Sequence, residues 1–441
     1  MHSLTDSEPK TLVADVGAAM TGLMEELFPI CRSITGAGLR ESLRQVGEVI
    51  PLQMTEVASG TRVFDWVIPP EWNIRAAWLA DPTGRRIVDF QESNLHVVNY
   101  SVPVRRTLTL EELRPHLHSL PDHPSWVPYR TSYYTEDWGF CMADRTLGSL
   151  LPGEYEAVID STLEAGGLSY GECVLPGRSS EEILVSCHIC HPSLANDNLS
   201  GVAVATYLAQ TLAGMDRRYT YRFLFAPGTI GAIAWLARNE KFTERIRGGL
   251  VLACVGDTGD IVYKRSRRGG SAVDRAAEHV LRTQEMPYEI VDFSPYGNDE
   301  RQFCSPGFDL PVGAITRSGY DRSERHHTSA DDMSAINPDM LAGTLQFCLD
   351  VFEILEADDT FVSRNPKGEP QLSRRGLYRG FGGRAEQSQL EAALLWVMSF
   401  ADGRHSLLDI ATHAGLPFEA VHEAAQALED AELVGRKDLR P

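Results

Sequence analysis

The chain has 441 residues, 43% of them hydrophobic and 23% charged, with 37 glycines and 24 prolines. At about 100–200 residues per domain this predicts two to four domains and a core that needs no disulfide or metal staple, which excludes a mini-protein or a disordered tail. Sixty-one acidic side chains against 41 basic ones leave a formal charge of −20. That field repels phosphate backbones and anionic membranes, so neither nucleic acid nor a membrane is expected as partner.

Eight cysteines spread along the chain are too sparse for a disulfide framework and read as free thiols in a reducing compartment. The N-terminal stretch has no basic segment followed by an apolar one, and no run approaches the ~18 apolar residues of a membrane span. A cytoplasmic protein is expected.

In chain order, apolar residues at helical spacing predict two helices between Val13 and about Val49, broken by the turn Ser33–Gly38. From Pro51 to Pro128 strand-like runs (Thr61–Ile68, Arg75–Leu79, Arg86–Phe90) separated by Pro69-Pro70 and Asp81-Pro82 predict a β-rich module. Beyond Tyr155, strands at Glu182–Cys187, Tyr219–Phe225, Gly249–Val255 and Pro311–Thr316 alternate with helices at Leu199–Leu212, Thr229–Arg238 and Ser271–Gln284. Such alternation predicts an α/β sandwich on a mostly parallel, mixed sheet. A helix opening at Asn337-Pro338 closes that domain, and Asp358–Leu372 reads as a linker. Three short helices at Leu390–Ser399, Ser406–Ala414 and Pro417–Glu429 suggest a winged helix. Its recognition position carries Glu419, Glu423, Glu429 and Asp430, so packing or dimerisation is expected there in place of DNA binding.

The chemistry concentrates in the segment from Ser186 to Gly201, where His188 ends an apolar strand and Asp197 precedes a helix. Sites on open α/β sheets gather at the carboxyl ends of strands. Cys187 and Cys190 read as core thiols, and a Cys/His zinc knot lacks its second half. With Asp257 after the strand Leu250–Val255 and His327 in His326-His327-Thr328-Ser329-Ala330-Asp331, His188 and Asp197 make two imidazoles and two carboxylates, a donor set that suits catalytic zinc.

These stretches resemble the zinc aminopeptidases of the bacterial leucyl-aminopeptidase type. Asn196-Asp197-Asn198-Leu199-Ser200-Gly201 is similar to their Asp-Asp-x-x-Gly segment. The resemblance implies His188, Asp197, Asp257 and His327 as metal ligands, with Asp197 bridging. More narrowly, Phe64-Asp65-Trp66, Glu71-Trp72-Asn73-Ile74-Arg75, Trp138-Gly139-Phe140-Cys141, Asp299-Glu300-Arg301-Gln302 and Asp402-Gly403-Arg404-His405 resemble a bacterial aminopeptidase-like family with an inserted β module and a C-terminal winged helix. Two departures stand out. Gly228 and Thr229 occupy the positions of the usual base and ligand of a Glu-Glu pair, and Cys190 replaces the Asp that orients the first His.

The expected architecture is an aminopeptidase-like α/β domain formed by residues 1–48 and 140–365, a β-rich module at 49–139 and a winged-helix-like domain at 375–441. The expected function is that of a zinc-dependent aminopeptidase-like protein, a homo-oligomer acting on a small peptide or amide-bearing metabolite. A non-hydrolytic metal enzyme catalysing acyl transfer or cyclisation, and a ligand-binding pseudo-enzyme, are the alternatives. Glu300 is the first candidate to replace the base missing at Gly228, with His191, Glu324 and Asp299 as other conceivable substitutes. The basic cluster containing Arg265 and Arg267 is a candidate for holding an anionic substrate group.

Overall fold

The computed structural model describes residues 9–284, 287–319, 322–377 and 389–437. Its centre is an eight-stranded mixed sheet in the order Gln53–Ala58, Gly167–Leu175, Thr220–Ala226, Glu182–His188, Ile246–Leu252, Val312–Arg317, Ile261–Lys264 and Tyr288–Val291. The four middle members, from Thr220–Ala226 to Val312–Arg317, are mutually parallel, and antiparallel pairings flank them. Every residue of Glu182–His188 is buried, which is why that strand reads as a continuous apolar run instead of an alternating one. Helices Gly201–Ala213 and Ile230–Asn239 follow the two strands that begin the parallel set.

The β-rich module has its own antiparallel sheet, ordered Arg86–Asp89, Glu71–Ala80, Glu154–Glu164, Val104–Thr109, over a separate core containing Leu79, Val88, Leu108, Leu113, Phe140 and Tyr155. Its long strand Glu154–Glu164 lies beyond residue 139, where the sequence reading ends the module, while Gln53–Ala58, inside the predicted module, belongs to the large sheet. The module reaches the main domain through Trp72, whose amide donates to the Thr35 hydroxyl at 3.0 Å and whose ring stacks on Tyr100.

The chain divides into two compact units, the second formed by residues 272–286 and 347–441. In that second unit, strands Asp402–Ser406, Thr360–Ser363 and Val434–Arg436 make a small sheet beside helices Gln389–Phe400, Leu407–Ala414 and Phe418–Asp430. Ser406 and Asp409 form a reciprocal capping box that starts the middle helix. Thr360–Ser363 thus lies in a strand of this unit, within the stretch that the sequence suggests is linker. Among the described residues no helix is long and apolar enough to cross a membrane.

Candidate metal centre

The carboxyl ends of the four parallel strands share one edge of the sheet, and the loops leaving them carry the candidate ligands. His188 is the last residue of its strand and Asp197 sits in the loop that follows; both are buried. The loop's Asn, Asp and Ser residues replace the hydrogen bonds a strand would have made. Asn198 donates to the carbonyls of His188 and Leu252 at 3.2 and 3.0 Å and accepts from the Cys254 amide at 3.1 Å. Asn196 accepts from the Gly256 amide at 2.8 Å, and the Asp331 carboxylate accepts from the amides of Asn196 and Asp197 at 2.6 and 2.9 Å. Gly201 is required by close approach, since a Cβ there would lie 2.5 Å from the Leu252 carbonyl oxygen.

This scaffold presents Asp197 between imidazoles. Its Oδ1 lies 2.8 Å from His188 Nε2, and its Oδ2 lies 2.9 Å from His327 Nε2 and 3.7 Å from His326 Nδ1. Ligand-type atoms of His188, His191 and Asp197 all fall within 4.8 Å of one another, and those of Asp197, His326 and His327 do the same. Asp197 is therefore common to two trios of nitrogen and oxygen donors, a set whose chemistry fits zinc. Burial drives the His191 imidazole well below its ordinary pKa. Burial works against the charge of Asp197, but the imidazoles of His191, His188 and His327 outweigh it and hold the carboxyl well below the usual range. Asp331, desolvated beneath the loop, is pushed up to about 7 despite its two amide donors.

Around the trios the backbone is unusual. Thr229, Cys254 and His327, none of them glycine, adopt φ of 61°, 53° and 57°, and such left-handed residues concentrate where a site over-determines the chain. The His327 carbonyl accepts from the Tyr129 amide of the β module at 2.8 Å, and the Tyr129 ring meets the His191 and His327 rings edge-on at 5.2 Å. Arg32 Nε donates to the His191 carbonyl at 2.9 Å. A cavity of about 180 Å³ opens over both trios and is walled by Gly228, Thr229, Asn298, Asp299 and Arg301.

Of the residues expected from sequence to be ligands, the structure brings His188, Asp197 and His327 together, and it adds His326 and His191, the latter expected only as a stand-in base. Asp257 joins neither trio; its carboxylate accepts from Asn196 Nδ2, Ser318 Oγ and the Gly259 amide at 2.8–3.0 Å. It is Cys254, three residues earlier, whose thiol faces Asp197. Glu300 is fully buried, with Lys264 Nζ at 2.5 Å and the Asn298 amide at 3.1 Å, and it does not line the cavity over the trios. Asp299 lines the cavity instead. Its Oδ1 accepts from the Thr229 amide at 2.7 Å, and burial raises it to about 6. Arg265 pairs with Asp292 at 2.6 Å and Arg267 with Asp309 at 2.8 Å, and neither lines this cavity. The sequence signals for placing the imidazoles of His191 and His326 beside Asp197 are the His188-x-x-His191 spacing and the doublet His326-His327.

The large sheet and the site at its carboxyl edge define an aminopeptidase-like α/β protein. A zinc aminopeptidase from Bacillus subtilis shares the fold at 12% identity, TM-score 0.56, over 77% of this chain and 94% of that one. A peptidase M28 precursor from Shewanella amazonensis does so at 13% identity, TM-score 0.55, over 78% and 95%. Residues 21–358 match the family described as a domain of unknown function, DUF4910, and residues 359–436 match a winged helix-turn-helix family. A Clostridium acetobutylicum protein described as a "putative polysaccharide biosynthesis protein with aminopeptidase-like domain" is 48% identical over 421 residues, 96% of this chain and 97% of that protein. The crystal structure of a "putative peptidase" from the same organism superposes with TM-score 0.92 at 46% identity over 97% and 98%. The chain belongs to the DUF4910 family of aminopeptidase-like proteins that carry a C-terminal winged helix.

Proposed function

We propose that this protein is a zinc-dependent enzyme of the aminopeptidase type that cleaves an amide bond in a small peptide or an amide-bearing metabolite. The observation that carries the reading is the position of Asp197, buried and ionised at the junction of His188/His191 and His326/His327 on the carboxyl edge of the sheet. Those five residues would hold the metal, which when bound polarises a carbonyl and lowers the pKa of water.

The remaining chemistry falls to the chain's own side chains. Gly228 leaves open space beside His188, where a side chain's first carbon would meet no atom nearer than 3.7 Å. Asp299 faces the same cavity and is anchored by the amide of the next residue, Thr229. In this reading Asp299 Oδ accepts the proton of the attacking water and returns it to the departing amine, and its raised pKa suits that exchange near neutral pH. The base has moved from the position of Gly228 to a neighbouring loop. Tyr129 closes one side of the trios and limits the site to small substrates.

Elemental analysis of dialysed protein tests the metal assignment. Bound zinc should fall in Asp197→Ala to less than a tenth of the wild-type content, and His191→Ala and His326→Ala should each weaken retention. Zinc retention untouched by Asp197→Ala overturns the reading. The substrate panel should include dipeptides, aminoacyl anilides and N-acylated amino sugars, the last because the Clostridium relative is described in terms of polysaccharide biosynthesis.

A further inference from the structure

We propose that Arg301 is the specificity determinant of this site and selects substrates bearing a carboxylate close to the scissile amide, an inference that rests on the amide-cleaving reading. Arg301 is the one arginine or lysine among the residues that wall the cavity over the two trios. Its side chain donates from Nη2 to the Thr229 hydroxyl at 3.4 Å, and among the described residues no carboxylate lies within ion-pair distance of it.

That isolation contrasts with its surroundings. The chain carries an excess of twenty acidic groups, and nearby cations are matched: Lys264 by Glu300, Arg265 by Asp292, Arg267 by Asp309 and Arg322 by Glu289. Asp299, two residues away, faces the cavity but is bonded to the Thr229 amide and not to the guanidinium. Thr229 thus holds the carboxylate with its amide and touches the guanidinium with its hydroxyl, and its left-handed backbone at φ 61° sets both directions. A guanidinium presents paired N–H donors that match a carboxylate in a bidentate fork. Arg301 gives a substrate carboxylate a place on the wall of the cavity. The consequence is orientation: the anion at Arg301 fixes which end of the substrate enters, and the amide is left toward Gly228 and Asp299.

The test compares the full chain and its Arg301→Gln and Arg301→Lys variants on matched pairs, a dipeptide against its C-terminal carboxamide and an N-acetylamino acid against its amide. Wild type should prefer the carboxylate member by about 10–100-fold in kcat/KM, as expected of one charge-assisted contact. Arg301→Gln should bring that ratio close to one, and Arg301→Lys should restore part of it. A purely structural role for Arg301 would lower both members together and leave the ratio intact. A second readout uses chelator-treated protein and N-acetylglycine as probe, followed by ligand-observed NMR. Binding that is retained without metal, absent for the carboxamide and lost in Arg301→Gln supports the proposal even if no amide is cleaved. An unchanged carboxylate preference in Arg301→Gln overturns it, while loss of zinc in Asp197→Ala would still uphold the metal assignment.

Discussion

Replacing Asp299 by Asn keeps the shape of the side chain and its hydrogen bond from the Thr229 amide at 2.7 Å, but removes the charge. In the folded protein burial lifts this carboxyl from its ordinary 3.8 to about 6. A carboxyl with a raised folded pKa binds more protons folded than unfolded, so its effect on stability becomes unfavourable as pH rises from about 4 to about 6 and is constant above that. Two pKa units at 1.36 kcal/mol each amount to about 3 kcal/mol of destabilisation at pH 8, and about half of that at pH 5. Asp299→Asn should recover it. Calorimetry of chelator-treated protein should show the transition of the larger unit rising by about 5 °C at pH 8 and by about half as much at pH 5. Turnover of the metal-loaded variant should meanwhile fall by about 10²–10⁴-fold. A carboxylate kept for its structural contacts would behave oppositely, with Asn lowering the transition temperature at both pH values. That outcome, or turnover within a few-fold of wild type, would refute the assignment.

Gly228→Glu should fold normally, because its Cβ would meet His188 Cβ at 3.7 Å and Cys190 Sγ at 3.8 Å, both ordinary contacts. The new carboxylate fills the cavity and adds charge beside Asp299, so turnover should drop about tenfold or more; a gain of about 100-fold would show that glycine is merely a lost base. Gly201→Ala should cost about 1–3 kcal/mol or more and weaken zinc retention, as its Cβ would collide with the Leu252 carbonyl and Asn198 Oδ1 at 2.5 Å and displace the Asp197 loop. Thermal melts with a zinc titration measure both effects. The exposed face of helix Phe418–Asp430 carries Glu419, Glu423, Gln426 and Asp430. The full chain should therefore show no salt-sensitive binding to labelled duplex DNA, and a measurable complex at low salt would count against the acidic-face argument.

What could be read from the sequence divides along the range of the interactions involved. Strand Glu182–His188 is legible because a strand buried on both faces is a run of apolar residues, and the small helices of the C-terminal unit because their caps and turns are local. Glu154–Glu164 and Gly167–Leu175 carry no local signal of their pairing, because the strands they pair with, 71–80 and 104–109 for the first and 53–58 and 220–226 for the second, lie far away in sequence. The same limit governs the site. His188, Asp197 and His327 carry signals of their own, a strand end and two motif-like segments. Asp257 stands at a strand end too, yet the chain turns at Cys254 with φ 53° and delivers a thiol to Asp197, leaving Asp257 to Asn196 and Ser318. Asp299 and Glu300 are adjacent carboxylates that composition cannot separate. Only the position of Lys264 decides that Glu300 is paired, and only the amide of Thr229 decides that Asp299 faces the cavity. Arg265 and Arg267 lose their claim on substrate for the same reason, since Asp292 and Asp309 lie 27 and 42 residues away along the chain. A charged residue becomes functional here by what the fold leaves unpaired, and this criterion passes over the basic cluster and selects Arg301.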